Sequence, residues 1–125
     1  MRQYSSRDAI IITHSYLKKS AAYTTQGKAI FEKIVKANPN VFLVLCGHCR
    51  DISEKSVQLD DDGDGDSDRT VYAILSNFQG SKAGGGGYMR ILDFRDSDIY
   101  IYTYSPYYDS REYPKGKTEA TVPLP

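Results

Sequence analysis

Two continuous apolar runs, each ending at a histidine, constrain this chain more than anything else in it. "AIIITHS" (Ala9 to Ser15) stops at His14, and "VFLVLCGH" (Val41 to His48) stops at His48; these are the chain's only two histidines. Runs this β-branched and this free of polar alternation are expected of strands buried on both faces. Between them, "TTQGKAIFEKIVKANPN" places Ile30, Phe31, Ile34 and Val35 on one helical stripe and Lys28, Glu32, Lys33 and Lys36 opposite. Asn38-Pro39-Asn40 should stop that helix, because the residue before a proline is pushed out of the α region. Strand, helix and strand joined by short links predict a βαβ unit. Its two parallel strands end on the same side, so both histidines should share one rim.

Length and charge narrow the function classes. At 125 residues and 14.0 kDa the chain has the size of one small domain. Sixteen basic and sixteen acidic side chains cancel, which removes the whole-chain field expected of a nucleic-acid binder. No run approaches the roughly 18 apolar residues of a membrane-spanning helix, and "MRQYSSRD" lacks the apolar core of a signal peptide. Neither a nucleic-acid partner nor a membrane is therefore expected. Two cysteines are too few for the disulfide framework of a small secreted domain, which leaves compartment open.

Past His48, "DISEKSVQLDDDGDGDSDR" reads as an exposed acidic loop. Three strand-like runs follow: Thr70 to Phe78, Gly87 to Arg95 and Asp98 to Ser105. In the last of these, Ile99, Ile101 and Thr103 alternate with Tyr100, Tyr102 and Tyr104, the pattern of a sheet with one packed face. Asp96-Ser97 predicts a tight hairpin between the last two. "GSKAGGGG" suits a plain linker or a loop beside a site. Residues 110–125 read as a polar C-terminal tail with too few apolar groups to pack.

"LCGHCRD" (Leu45 to Asp51) supports two incompatible chemistries. Cys46 and Cys49 have the spacing of a thiol-disulfide redox pair, which works when the first cysteine sits at a helix amino terminus that stabilises the thiolate. Asp51, Ser53 and the glycine-aspartate run oppose such a helix, and thioredoxin-like relatives would carry a tryptophan that this chain lacks. In the other reading His48 is the reactive group and Cys46 is a small buried hydrophobe. The acidic stretch Asp60 to Asp68 invites a calcium reading through Asp60, Asp62 and Asp64, with Gly65 at the turn. The bidentate glutamate of an EF-hand is replaced by Val71, so a solvated loop is the plainer expectation.

The order "AIIITHSYL", "GKAIFEKIVKANPNVFLVLCGHCRD", "RTVYAILSNFQG", "GGGGYMRILDFRDSDIYIYTYSPYYD" resembles the carboxyl-terminal half of calcineurin-like metallophosphoesterases over about Arg7 to Asp109. His14 matches that family's lone histidine after a strand. His48 matches the first histidine of its final Gly-His-x-His block. The resemblance implies an α/β fold, half of an αββα sandwich in which a βαβ unit is followed by antiparallel strands, with residues 1–109 as a partial domain. It also implies that His14 and His48 ligate a divalent metal (Mn, Fe or Zn) where other residues complete the site, and none otherwise. Arg50 stands where the block's second histidine would be and is a candidate contact for a substrate phosphate. The family's amino-terminal metal blocks have no counterpart in this sequence. The implied function is the C-terminal portion of a metal-dependent phosphoester hydrolase, inactive as an isolated chain. The alternative is a non-catalytic binding or assembly module derived from the same fold, and after it the Cys-Gly-His-Cys redox protein. Uncovered sheet edges would suit self-association or pairing with the missing N-terminal half. Relatives with such a tail look secreted or cell-surface, although no export signal is present in this sequence.

Overall fold

The computed structural model describes residues 4–113 and 119–125, and among these it is a mixed α/β fold with two sheets and little helix. The βαβ unit forms, but only its second strand is buried on both faces. The first is a sheet edge with Ile12 81% exposed, because no strand among the described residues pairs with it on its outer side. β1 (Ala9–Thr13) and β2 (Val41–Cys46) pair in parallel, and α1 (Thr25–Ile30) lies between them in sequence. The Thr24 side chain caps α1 by accepting a hydrogen bond from the Gly27 backbone N–H. Beyond Ile30 the helix widens into one π-type stretch, Phe31–Val35, closed by Lys36 N–H donating to the Phe31 carbonyl. The wider turn keeps Phe31 and Val35 buried and swings Ile34 outward, so only part of the expected stripe packs. Asn38 then caps the Ile34 carbonyl with its side-chain amide, and Pro39 follows.

The first sheet has the order β1-β2-β4-β3, with β4 (Arg69–Asn77) parallel to β2 and β3 (Asp51–Leu59) antiparallel to β4. This corrects two sequence expectations. Residues 51–59 are a nine-residue edge strand and not part of the acidic loop, which is confined to the turn that follows. An edge strand meets the core on one face only, so buried Ser53 and Leu59 with half-buried Val57 suffice, and the charged residues between them hide the alternation. The run Thr70 to Phe78 is a strand, but it joins the parallel sheet beside β2.

A second sheet, β5-β6-β7, is antiparallel throughout. β5 (Met89–Phe94) and β6 (Asp98–Tyr104) turn at Asp96-Ser97 as expected, with Arg95 N–H donating to the Asp98 carbonyl. β7 (Glu119–Pro123) lies in what the sequence suggested was an unpacked tail. Val122 is buried against Ile99, and Tyr113 is buried as well. Short length explains the miss: one valine and one tyrosine are enough when the strand only completes an existing sheet. The part of that tail at 114–118 lies outside the described residues.

Packing is layered. One face of the first sheet presents Val44, Cys46, Val71, Ala73 and Leu75 to Phe31 and Val35 of the helix. The other presents Phe42, Leu43 and Ile74 to Ile99, Ile101 and Val122 of the second sheet. A β-bulge in β2, where Ala9 pairs with Val41 but Ile10 with Leu43, inserts Phe42 as an extra residue and lets it share the inter-sheet core with Leu43. β6 alternates as read, with Ile99, Ile101 and Thr103 fully buried. Arg95 and Arg111 lie over the rings of Tyr100 and Tyr102 on its opposite face.

If β7 packs as described, Val122→Ala should lower unfolding stability by ~2 kcal/mol, the scale for truncating a buried aliphatic side chain. Thr121→Ala, on an exposed position of the same strand, should change it by under about 0.5 kcal/mol. Urea unfolding of the two variants checks both.

Candidate metal and anion site

Both histidines stand just past the carboxyl ends of adjacent parallel strands, and the structure brings them into contact. His14 Nε2 and His48 Nδ1 are 2.9 Å apart, with ring centroids at 4.7 Å and planes inclined by 58°. Both rings are exposed to solvent. The backbone ties the two strand ends together, since Gly47 N–H donates to the His14 carbonyl at 3.1 Å.

His48 is held in an unusual turn. Cys49 N–H donates to the Gly47 carbonyl at 2.8 Å across His48, whose φ is +63°. That is a three-residue γ-turn with a positive central φ, a conformation non-glycine residues rarely adopt. Such backbone costs of order 1–3 kcal/mol and persists only where neighbours hold it. Here Asn77, at the end of β4, donates its side-chain amide to the His48 carbonyl at 2.9 Å. Parallel pairing of β4 with β2 is what delivers Asn77 to that carbonyl.

The pair opens onto a cavity of about 430 Å³. Its other walls are Ser76 and Asn77 at the end of β4, Phe78 and Gln79 just past it, Tyr88, and the glycines Gly84, Gly85 and Gly87. No Asp, Glu, Lys or Arg side chain lines it among the described residues. The glycine-rich connection is thus a wall of the histidine cavity. Nothing in the sequence distinguished this from a linker, because the placement depends on how the second sheet docks on the first.

The remaining sequence candidates lie elsewhere. Arg50 is exposed, with its aliphatic stem against Gly80, and is not among the residues lining the cavity. Cys46 and Cys49 are both free thiols. Cys46 is buried in the core between sheet and helix, and burial pushes its thiol pKa up, opposite to what an activated thiolate needs. The chain continues from the motif into strand β3 and not into a helix whose amino terminus would stabilise a thiolate. In the acidic loop the oxygens that converge are those of Asp60, Asp62 and Asp68, all exposed, while Asp64 is outside the group. Asp60 is committed to the loop itself, accepting from Gly63 and Gly65 N–H, and these bonds hold its carboxyl below the usual range.

Asn77 and Ser76 are site residues that sequence reasoning missed. The sequence marks Thr70 to Phe78 as a strand, but nothing local shows that it pairs in parallel beside β2 and so ends on the histidine rim.

Among curated proteins, the chain is 42% identical over 115 residues to the uncharacterized protein YvnB of Bacillus subtilis (strain 168). The match covers 90% of this chain and 9% of YvnB, so the chain spans about a tenth of that relative's length. No family model and no solved structure matches the chain.

The thiol environments predict an order of reactivity. With iodoacetamide at pH 8, Cys49 should be alkylated first and Cys46 only as the protein unfolds, read by mass spectrometry of the digested protein. Rapid formation of a Cys46–Cys49 disulfide under mild oxidant would contradict this.

Proposed function

We propose that this chain is the C-terminal portion of a metal-dependent phosphoester hydrolase, in which His14 and His48 are ligands to one divalent metal ion. The observation that carries the reading is the 2.9 Å approach of His14 Nε2 to His48 Nδ1 across two strand ends. With metal–nitrogen bonds of about 2.0–2.1 Å, two imidazoles in neighbouring coordination positions have their nitrogens about 2.9–3.4 Å apart, so the pair is already spaced for one ion. Which nitrogen carries the shared proton follows from assignment rather than heavy-atom positions, and either tautomer leaves one lone pair at the contact. Strained backbone at His48, held by Asn77, is the kind of feature that clusters at ligand sites.

Fit is partial. Among the described residues no third His, Cys, Asp or Glu joins the pair in a cluster. Two imidazoles hold a divalent ion weakly, and Mn, Fe or Zn would each accept them. The metal would supply charge stabilisation and an activated water for phosphoester cleavage. For that chemistry, further ligands would have to come from other polypeptide, either the N-terminal half that the sequence resemblance implies or another copy. The fold itself supports only the broad α/β class, with helix on one face of the first sheet and the second sheet on the other. The β1 edge supports a missing neighbour: Ile12, on the face turned toward the second sheet, is 81% exposed.

A non-catalytic binding module built on the same fold is the competing reading, and the missing third ligand favours it. Metal analysis separates the two. In equilibrium dialysis against manganese or zinc the chain should bind up to one ion per polypeptide, and His14→Ala and His48→Ala should each lose at least tenfold in metal affinity. The chain should hydrolyse bis-p-nitrophenyl phosphate only once polypeptide carrying the further ligands is added, and the two variants should remain inactive even then. Equal metal binding by wild type and both variants would remove the hydrolase reading.

A further inference from the structure

The cavity beside the histidines has a polar lining with no acidic residue and no Lys or Arg among the described residues, and the histidine pair does not explain it. Its side chains supply imidazoles, hydroxyls and amides, and no carboxylate among the described residues. From Ala83 to Gly87 five consecutive residues have positive φ, at +55°, +65°, +105°, +58° and +65°. An L-residue run in this region is costly at every step, whereas glycine enters it freely, which accounts for four glycines in a row. The turn bonds itself through Gly86 N–H to the Ala83 carbonyl and Tyr88 N–H to the Gly85 carbonyl, both at 3.2 Å. Gly84 and Gly87, which line the cavity, donate their N–H groups to no protein acceptor among the described residues.

Packing separates the glycines by role. A methyl group on Gly86 would come within 2.5 Å of the Tyr108 ring, so that position is set by the close approach of the ring. On Gly84 it would meet nothing within 4 Å, so no neighbour demands glycine there. Ser76, which also lines the cavity, accepts at Oγ from Arg90 Nε at 3.3 Å, which leaves the serine O–H to donate elsewhere. The Arg90 side chain is only 6% exposed and is paired at 3.7 Å with Glu54, so a largely buried cation stands directly behind this wall.

We propose that the Gly84–Gly87 turn and Ser76 form an oxyanion-binding wall facing the histidine pair, taking a tetrahedral group of the phosphate class. Backbone N–H groups and a hydroxyl backed by a guanidinium suit such a group, because charged acceptors strengthen each of these hydrogen bonds. The choice of phosphate rests on the hydrolase reading above; the anion preference itself rests on the lining alone.

Titrating the full ¹⁵N-labelled chain with inorganic phosphate tests this, with and without bound zinc and against sodium chloride at matched ionic strength. The Gly84 and Gly87 amide protons should move downfield saturably with phosphate and not with chloride. Ser76→Ala should weaken the saturation by roughly tenfold, the scale of one hydrogen bond to a charged group. That result in a protein that binds no zinc would sustain the wall while the metal reading fails. Unmoved glycine amides in a zinc-loaded protein would overturn the wall and leave the metal reading standing. Shifts reproduced by chloride, or unaffected by Ser76→Ala, would overturn it too.

Discussion

Parallel pairing of β1 with β2 is the constraint from which the rest of the site follows. Two parallel strands cannot be joined by a tight turn, so the chain between them must cross over, and here it does so through α1 and its π-type extension. Once the crossover packs on the sheet, the carboxyl ends of both strands emerge together. Residues 34 positions apart in sequence then come within hydrogen-bonding distance. The register is fixed by burial on both faces, since slipping β2 by one residue would exchange Leu43 and Val44 between two different cores. A precise rim is therefore a consequence of a well-specified core.

That rigidity is what allows strain to be kept at His48. A positive φ at a non-glycine residue relaxes unless its surroundings determine it, and here three elements do so: the Gly47 tie to His14, the γ-turn bond to Cys49, and the Asn77 amide on the His48 carbonyl. The third comes from β4, which reaches the rim because it pairs in parallel with β2. Three parallel strand ends thus converge on one place, and the glycine turn from the second sheet's approach segment closes it. Sites built on strand ends in this way are held more precisely than sites on loops alone.

Most of the scaffold was legible in the sequence where apolar patterning was strong. Continuous apolar runs gave β1 and β2, although only β2 is buried on both faces, and strict alternation gave β6, whose one packed face dictates every second residue. The proline stop after the helix and the Asp96-Ser97 hairpin were legible from turn chemistry. β3 and β7 were not, because edge strands need only one or two buried residues, and in these segments charged and small polar residues, with a proline in β7, break up the apolar pattern. The histidine pair was predicted from topology alone. Asn77, Ser76 and the glycine turn were not, since their roles depend on which sheet β4 joins and how the second sheet docks. Tertiary placement of that kind leaves no local mark. In the acidic loop the spacing pointed to Asp60, Asp62 and Asp64, while the backbone of the loop brings Asp68 to Asp60 and Asp62 in place of Asp64.

X-ray absorption at the zinc edge of the zinc-loaded chain tests the convergence of β1 and β2 on one metal most directly. The account predicts a first shell containing two imidazole nitrogens at about 2.0–2.1 Å with the outer-ring scattering of histidine, completed by water oxygens. A shell containing sulfur at about 2.3 Å would place the ion on Cys46 or Cys49 instead, and a shell of oxygens alone would place it on the acidic loop. Either would contradict a site built from the two histidines.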